Sequence, residues 1–221
     1  MTPAKLELKE RGAPETAPLK QQDFFLCYFE STRQCNLNCR YCMTMSPNSD
    51  KKPRGNELST MEVKRLVIDE VRKYCSGTAV GYSGGEFLIR RDAFELLEYT
   101  SSAGLWSFIN TNGTLLDKKK IREIKRLTGN KAIFVFSVNS LDSKVHGWSR
   151  GEDLKDTARL ARLCQKEGIN FFFILTVTRN NLSTLKQTMD FLKKHGIPVL
   201  RSPFVSRGLG SLHPELMLTR E

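Results

Sequence analysis

The chain has 221 residues, 39% of them hydrophobic, and carries 35 Lys and Arg against 24 Asp and Glu, a formal net charge of +11. That length suits one domain with a sizeable core, and no run of about eighteen apolar residues is present to cross a membrane as a helix. The charged, proline-containing opening MTPAKLELKERGAPETAPLK lacks the apolar centre of a secretory signal, so residues 1–22 read as a loose or partly ordered arm and the cytoplasm as the compartment.

The first predicted strand is FFLCYFE at 24–30, and STRQCNLNCRYCMT behind it places Cys35, Cys39 and Cys42 in a C-x3-C-x2-C spacing. STMEVKRLVIDEVRKY opens with a capping box, Ser59 to Glu62, and carries Val63, Leu66, Val67, Val71 and Tyr74 on one helical stripe. Strand AVGYSG (79–84) leads into a GGEFL turn. The next helix takes Asp92 as its cap and Gly104 as its stop. Strand LWSFINT (105–111) leads into NTNGTLL, and Asp117 and Gly129 bracket a third helix. Strand AIFVFSV (132–138) runs into NSLDSKVHGWSRG. Helix 152–167 ends at Gly168, strand NFFFILTV spans 170–177, and helix 182–195 ends at Gly196. IPVLRSP (197–203) carries Pro198 and has the weakest strand pattern. ELMLTRE begins as another helix would.

Several strands are apolar at consecutive positions, as strands buried on both faces are. The βα alternation implies parallel strands with right-handed crossovers. Six strands fall short of the eight of a closed barrel, leaving an open barrel of about six strands or a doubly wound sheet. No G-x-G-x-x-G turn follows the first strand, which weakens the dinucleotide-binding version of the latter. In either fold the loops after strand C-termini build the site, and the three cysteines sit in such a loop. The core is placed at 23–208, with 209–221 the start of a C-terminal segment, either truncated or naturally short.

A basic chain can meet nucleic acid, acidic peptide or a membrane surface. Its densest run, DKKKIREIKR, aligns Ile121, Ile124 and Leu127, so Lys118, Lys119 and Lys120 face solvent, and no aromatic residue interleaves with them. A solvated basic surface is expected, and nucleic acid is not expected as a partner.

Three clustered thiols can bind a metal or a cluster, form disulfides, or do nothing. A reducing compartment argues against disulfides. A structural zinc site wants four ligands, usually as two separated pairs. Cys27 in a strand and Cys164 beside Leu160 and Leu163 read as small buried hydrophobes, and Cys75 at a helix end reads as inert. A cubane iron–sulfur cluster takes one thiolate per iron, so three thiolates leave one iron open to a small molecule.

CNLNCRYC resembles the cluster loop of the radical S-adenosylmethionine (radical SAM) enzymes, and Tyr41 before Cys42 fits that pattern. GYSGGEFL matches the family's GGE-type turn at Gly84, Gly85 and Glu86, which in the family meets the amino group of SAM; the glycines let backbone approach a ligand closely. Asn112 and Gly113 match a further turn. FSVNSLDSKVHGWSRG is similar to the S-x-D…H…R-G pattern of the subgroup with molybdenum-cofactor and peptide-maturing (SPASM/twitch-type) enzymes. There the strand-four serine lies near the SAM ribose and the arginine near its carboxylate, which points to Ser137 and Arg150. Asn139-Ser140, inserted ahead of Leu141-Asp142, makes Ser140 the rival of Ser137, and His146 reads as structural. Thr176, Thr178 or Asn180 would come near SAM after strand five.

The resemblance covers residues 24–208 and implies an open partial (β/α)6 barrel. It implies a 4Fe-4S cluster on Cys35, Cys39 and Cys42, with SAM on the fourth iron. Reductive cleavage of SAM then yields a 5′-deoxyadenosyl radical that abstracts hydrogen from a peptide or cofactor precursor. Implied partners are a peptide, protein or small-molecule substrate and an electron donor such as flavodoxin or ferredoxin. The subgroup's C-terminal cysteines are not present in this sequence, so no auxiliary cluster is expected. The alternatives are an activase that makes a glycyl radical on a partner protein, and a non-catalytic iron–sulfur or zinc-binding protein.

Overall fold

β-branched and aromatic residues concentrate in six short runs, and each forms a strand. The computed structural model describes residues 25–44, 57–73 and 78–218. The N-terminal arm, Phe24, Tyr74, Cys75 and residues 219–221 lie outside the described residues. The strands are β1 (Leu26–Thr32), β2 (Ala79–Gly84), β3 (Trp106–Thr111), β4 (Ala132–Ser137), β5 (Asn170–Val177) and β6 (Val199–Pro203). They pair in the order β1-β2-β3-β4-β5-β6, every pair parallel. A doubly wound sheet reverses its strand order at a switch point; this order never reverses, so the sheet is an open (β/α)6 half-barrel.

The core lies between the sheet's convex face and the helices. Val80, Tyr82, Ile109, Phe134, Phe136 and Phe173 pack there against helix residues such as Leu96, Leu97, Ile121, Ile124, Leu160 and Leu192. The other face is not fully buried as the apolar runs suggest. Phe108, Ile133, Phe172 and Ile174 are half-buried, because an open barrel leaves its concave face only partly covered. β1 also runs two residues later than its apolar run. Ser31 Oγ donates to the Ser83 carbonyl (3.0 Å) and Gly85 N–H to the Thr32 carbonyl (2.7 Å), which carries the pairing on to Gly84.

The helices follow their caps, with two departures. α1 (Thr60–Val63), a π turn (Lys64–Ile68) and α2 (Asp69–Arg72) form one rod, and the Ser59–Glu62 capping box is present. The π turn adds a residue to the repeat. Val63, Ile68 and Val71 therefore face the core, while Leu66, expected on the apolar stripe, is 49% exposed. Ahead of α3 (Ala93–Ser102), Asp92 does not cap the helix with its side chain. Its carboxylate accepts from Arg90 (2.7 Å) and from Thr60 Oγ1 (2.8 Å), and so fastens α3 to α1.

In α4 (Lys118–Thr128), Asp117 accepts from Lys120 N–H (2.7 Å), and Gly129 ends the helix at φ +59°. α5 (Ser143–Arg150), absent from the periodicity reading, is capped by Asp142 and stopped by Gly151. α6 (Leu154–Glu167) and α7 (Leu182–Lys194) follow. The described part of ELMLTRE is not an α-helix. Pro214–Leu216 is a single 3-10 turn closed by i→i+3 bonds, and Met217 is extended. Among the described residues no helix is long and apolar enough to cross a membrane.

Candidate functional site

The loop after β1 lies at the C-terminal edge of the sheet and is moored by its own backbone. Arg40 N–H donates to the Ser149 carbonyl (3.1 Å), Cys42 N–H to the Cys39 carbonyl (3.1 Å), and Leu209 N–H to the Cys42 carbonyl (2.9 Å). Among the described residues no cysteine is in a disulfide. Cys35 Sγ accepts from Leu37 N–H (3.5 Å) and Asn112 Nδ2 (3.9 Å). Cys39 Sγ lies 3.6 Å from the Arg150 carbonyl and Cys42 Sγ 3.1 Å from Thr44 Oγ1.

All three thiols line one cavity of about 290 Å³, together with Tyr41, Gly84, Gly85, Glu86, Asn112, Ser137 and Arg150. The fold thus brings these ten residues to a single cavity, while Gly113, Ser140, Thr178 and Asn180 do not line it. Burial pushes the Cys35 thiol up to about 11, and burial also raises Cys39 although Arg150 opposes the shift. Among the described residues no three of His, Cys, Asp and Glu converge on a single ion. Three soft thiols spread around one cavity suit a polynuclear cluster with one thiolate per iron better than a mononuclear zinc ion. The donor set therefore fits the implied iron–sulfur cluster.

The GGE turn is held against the cysteine loop. Gly85 N–H bonds the Thr32 carbonyl (2.7 Å) and Glu86 N–H the Gln34 carbonyl (2.8 Å). A Cβ at Gly84, where φ is +107°, would stand 2.3 Å from the Thr32 oxygen, and one at Gly85 2.0 Å from the Gln34 oxygen. The close approach that requires glycine is thus already made by the protein's own backbone. Glu86 is 1% exposed and accepts from Thr111 Oγ1 (2.9 Å), Asn112 N–H (2.7 Å) and Leu88 N–H (3.1 Å). Burial raises its carboxyl from the ordinary value, against those donors and Arg150. Asn112 in turn reaches the cysteine loop through Asn36 Oδ1 (2.8 Å).

Ser137, at the end of β4, lines the cavity. Its rival Ser140 is fully buried, bonds Thr184 Oγ1 (2.8 Å) and accepts from Asp142 N–H (2.9 Å), away from the cavity. Of the three residues considered after β5, Thr176 lines the cavity, and Thr178 instead caps the turn at 179–181. Arg150 donates Nε to the Glu152 carboxylate. His146 is fully buried outside the cavity, accepting from Asn139 N–H (3.3 Å) with Nε2 3.8 Å from Glu152.

Two contributions escaped the sequence reading. Ser202, Pro203, Phe204 and Val205 close one side of the cavity. The rule that sites form after strand C-termini points to them, but Pro198 weakened the strand that carries them. Asn139, read as part of an insertion, is a buried hydrogen-bonding hub. No short-range pattern marks it.

The model of the Radical SAM superfamily matches residues 29–192. An AdoMet-dependent heme synthase of Methanosarcina barkeri is 34% identical over 173 residues, covering 77% of this chain and 48% of the relative. An Fe-coproporphyrin III synthase of the same organism is 30% identical over 168 residues, covering 76% and 40%. The chain thus spans less than half the length of these curated relatives. Among solved structures, Streptococcus suis SuiB bound to precursor peptide SuiA matches with a TM-score of 0.70 at 17% identity, over 89% of this chain and 42% of that one. At that identity the likeness speaks for the fold alone.

Proposed function

The chain belongs to the radical SAM superfamily of enzymes, and from that premise we propose that it uses a 4Fe-4S cluster and SAM to abstract hydrogen from a carboxylate-bearing cofactor precursor of the tetrapyrrole kind. The observation that carries the reading is the meeting of three thiols with the GGE turn and Arg150 in one cavity. Held there by Cys35, Cys39 and Cys42, the cluster with SAM would supply reductive cleavage to a 5′-deoxyadenosyl radical, with flavodoxin or ferredoxin as the kind of electron donor required.

The chain's own residues prepare the cavity. Cys35, Cys39 and Cys42 offer the ligands and give up their protons when metal binds. The Gly84–Glu86 turn, Asn112, Ser137, Arg150 and Tyr41 line the space that SAM would fill. Leu37, Val135, Ile174, Phe204 and Val205 form its apolar wall and keep water out. The tetrapyrrole class is supported by the two Methanosarcina relatives, a heme synthase and an Fe-coproporphyrin III synthase, and by the net charge of +11, which favours an anionic substrate. A peptide substrate is the second reading, favoured by 31% identity over 136 residues to a PqqA peptide cyclase of Rhodopseudomonas palustris.

The test is anaerobic reconstitution, an iron count and a SAM-cleavage assay with coproporphyrin-type and peptide substrates. The expected result is about four irons per chain, lost on replacing Cys35, Cys39 or Cys42 by Ala and kept in Cys27→Ala. Iron retained in Cys39→Ala but lost in Cys27→Ala would overturn the ligand set. A loaded protein that never cleaves SAM would reduce it to a cluster-binding protein.

A further inference from the structure

We propose that Asn139 is the positioning residue of the cysteine loop, locking its Tyr41 end to the cavity wall made by β4 and β5. Asn139 is 2% exposed and lies just past β4. All its polar groups are engaged. Its N–H donates to His146 Nδ1 (3.3 Å), and its carbonyl accepts from Asn181 Nδ2 (2.9 Å). Side-chain Nδ2 donates both to the Tyr41 hydroxyl and to Ser149 Oγ (3.0 Å), while Oδ1 accepts from Thr176 N–H (3.3 Å).

One planar amide thus joins three segments that are distant in sequence: the cysteine loop, α5 and the end of β5. Two of its partners, Tyr41 and Thr176, line the cavity. Ser149, the third, also receives the neighbouring Arg40 N–H on its carbonyl (3.1 Å). Residues 40 and 41, between Cys39 and Cys42, are therefore both moored to the Asn139–Ser149 pair. The geometry needs two donors on one side of a short side chain and an acceptor on the other, which asparagine supplies. Without the amide, the Tyr41 hydroxyl and Thr176 N–H lose a buried partner, and the Tyr41 end of the loop keeps only the Arg40 contacts to Ser149 and Trp148.

The role in ligand placement rests on the reading of this cavity as a SAM site; the role in holding the loop does not. The experiment therefore has two arms. In the metal-free protein, hydrogen exchange of the Arg40 and Cys42 amides is followed in the wild type, Asn139→Ala, Tyr41→Phe and the double variant. We expect about tenfold faster exchange in each single variant, no further gain in the double, and unchanged exchange in β3 and β4. Unchanged exchange at Arg40 and Cys42 overturns the proposal. So does acceleration of β3 and β4 by the same factor, which would make Asn139 a residue of the fold only.

In the reconstituted protein, SAM is titrated against the reduced cluster by paramagnetic resonance. Asn139→Ala should keep its iron and bind SAM about tenfold more weakly. Intact SAM affinity with a loosened loop overturns the ligand-placing part. A wild type that takes up no iron would sink the cluster reading, while the exchange arm still decides the role of Asn139.

Discussion

Both carboxylate oxygens of Glu86 are occupied inside the protein, by Thr111, Asn112 and Leu88. Glu86 is therefore a structural residue of this turn, whatever ligand it meets. Glu86→Gln turns an amide N–H2 toward at least one of those donors, and should cost about 1–3 kcal/mol, read as a lower urea midpoint at unchanged slope. An unmoved midpoint would mean that the clamp contributes nothing to the fold. Arg150 likewise has a structural partner, since its loss leaves the buried Glu152 carboxylate without its guanidinium.

His146 gives the residue scale its pH dependence. Burial lowers its pKa; Arg150 acts the same way, while Glu152 and Asp153 oppose the shift. Protonating Nδ1 would also set a donor against the Asn139 N–H that it now accepts. The unfolded chain takes up a proton near the ordinary histidine value of about 6.5, and the folded chain resists it. Unfolding thus binds a proton in that window, so stability falls as pH drops below about 6.5. His146→Gln should flatten this part of the stability–pH curve; an unchanged slope would assign it to other groups.

At the scale of elements, the π turn decides which side chains of the first helix reach the core. Ile68 is fully buried and Leu66 is half exposed. Ile68→Ala should therefore cost about 2–5 kcal/mol and Leu66→Ala no more than about 0.5 kcal/mol in denaturant unfolding. Equal losses would restore a regular α repeat. The segment after β6 is the second such case, because it crosses back under the cysteine loop. Gly208 adopts φ +57°, and a Cβ there would stand 2.6 Å from the Cys42 carbonyl oxygen and 2.7 Å from that of Met43. Gly208→Ala should push the loop outward and speed alkylation of Cys42 in the metal-free protein. Gly104→Ala is the control: its φ is +86° but nothing lies within 4 Å, so it carries backbone strain without the clash and should leave Cys42 as it was.

For the whole molecule, the basic charge of α4 is largely engaged with its own surroundings. Lys120 Nζ donates to the Leu115 carbonyl (2.6 Å), Lys125 Nζ to the Glu167 carbonyl (2.5 Å), and Arg122 and Arg126 pair with Glu167 and Glu123. Generic DNA and RNA should show no sub-micromolar binding at physiological salt in an anisotropy titration at two salt concentrations. Tight binding with a steep salt slope, lost on replacing Lys118, Lys119 and Lys120, would move nucleic acid onto the substrate list. The six strands, most helix stops and the thiol loop were legible in the sequence because their signals are short-range: apolar runs, Asp and Ser caps, glycines at φ above zero, and three cysteines within eight residues. The half-covered concave face, the phase shift at Ile68, the diversion of Asp92 to Arg90 and Thr60, the true partners of Gly84 and Gly85, and the choice of Ser137 over Ser140 came only with the tertiary structure. So did Asn139, whose partner Tyr41 lies 98 residues away in sequence. A local pattern records what a residue does for its own turn or strand. Which distant backbone it must approach, and which buried donor it must satisfy, is set only when the strands curl and bring their C-terminal loops around one cavity.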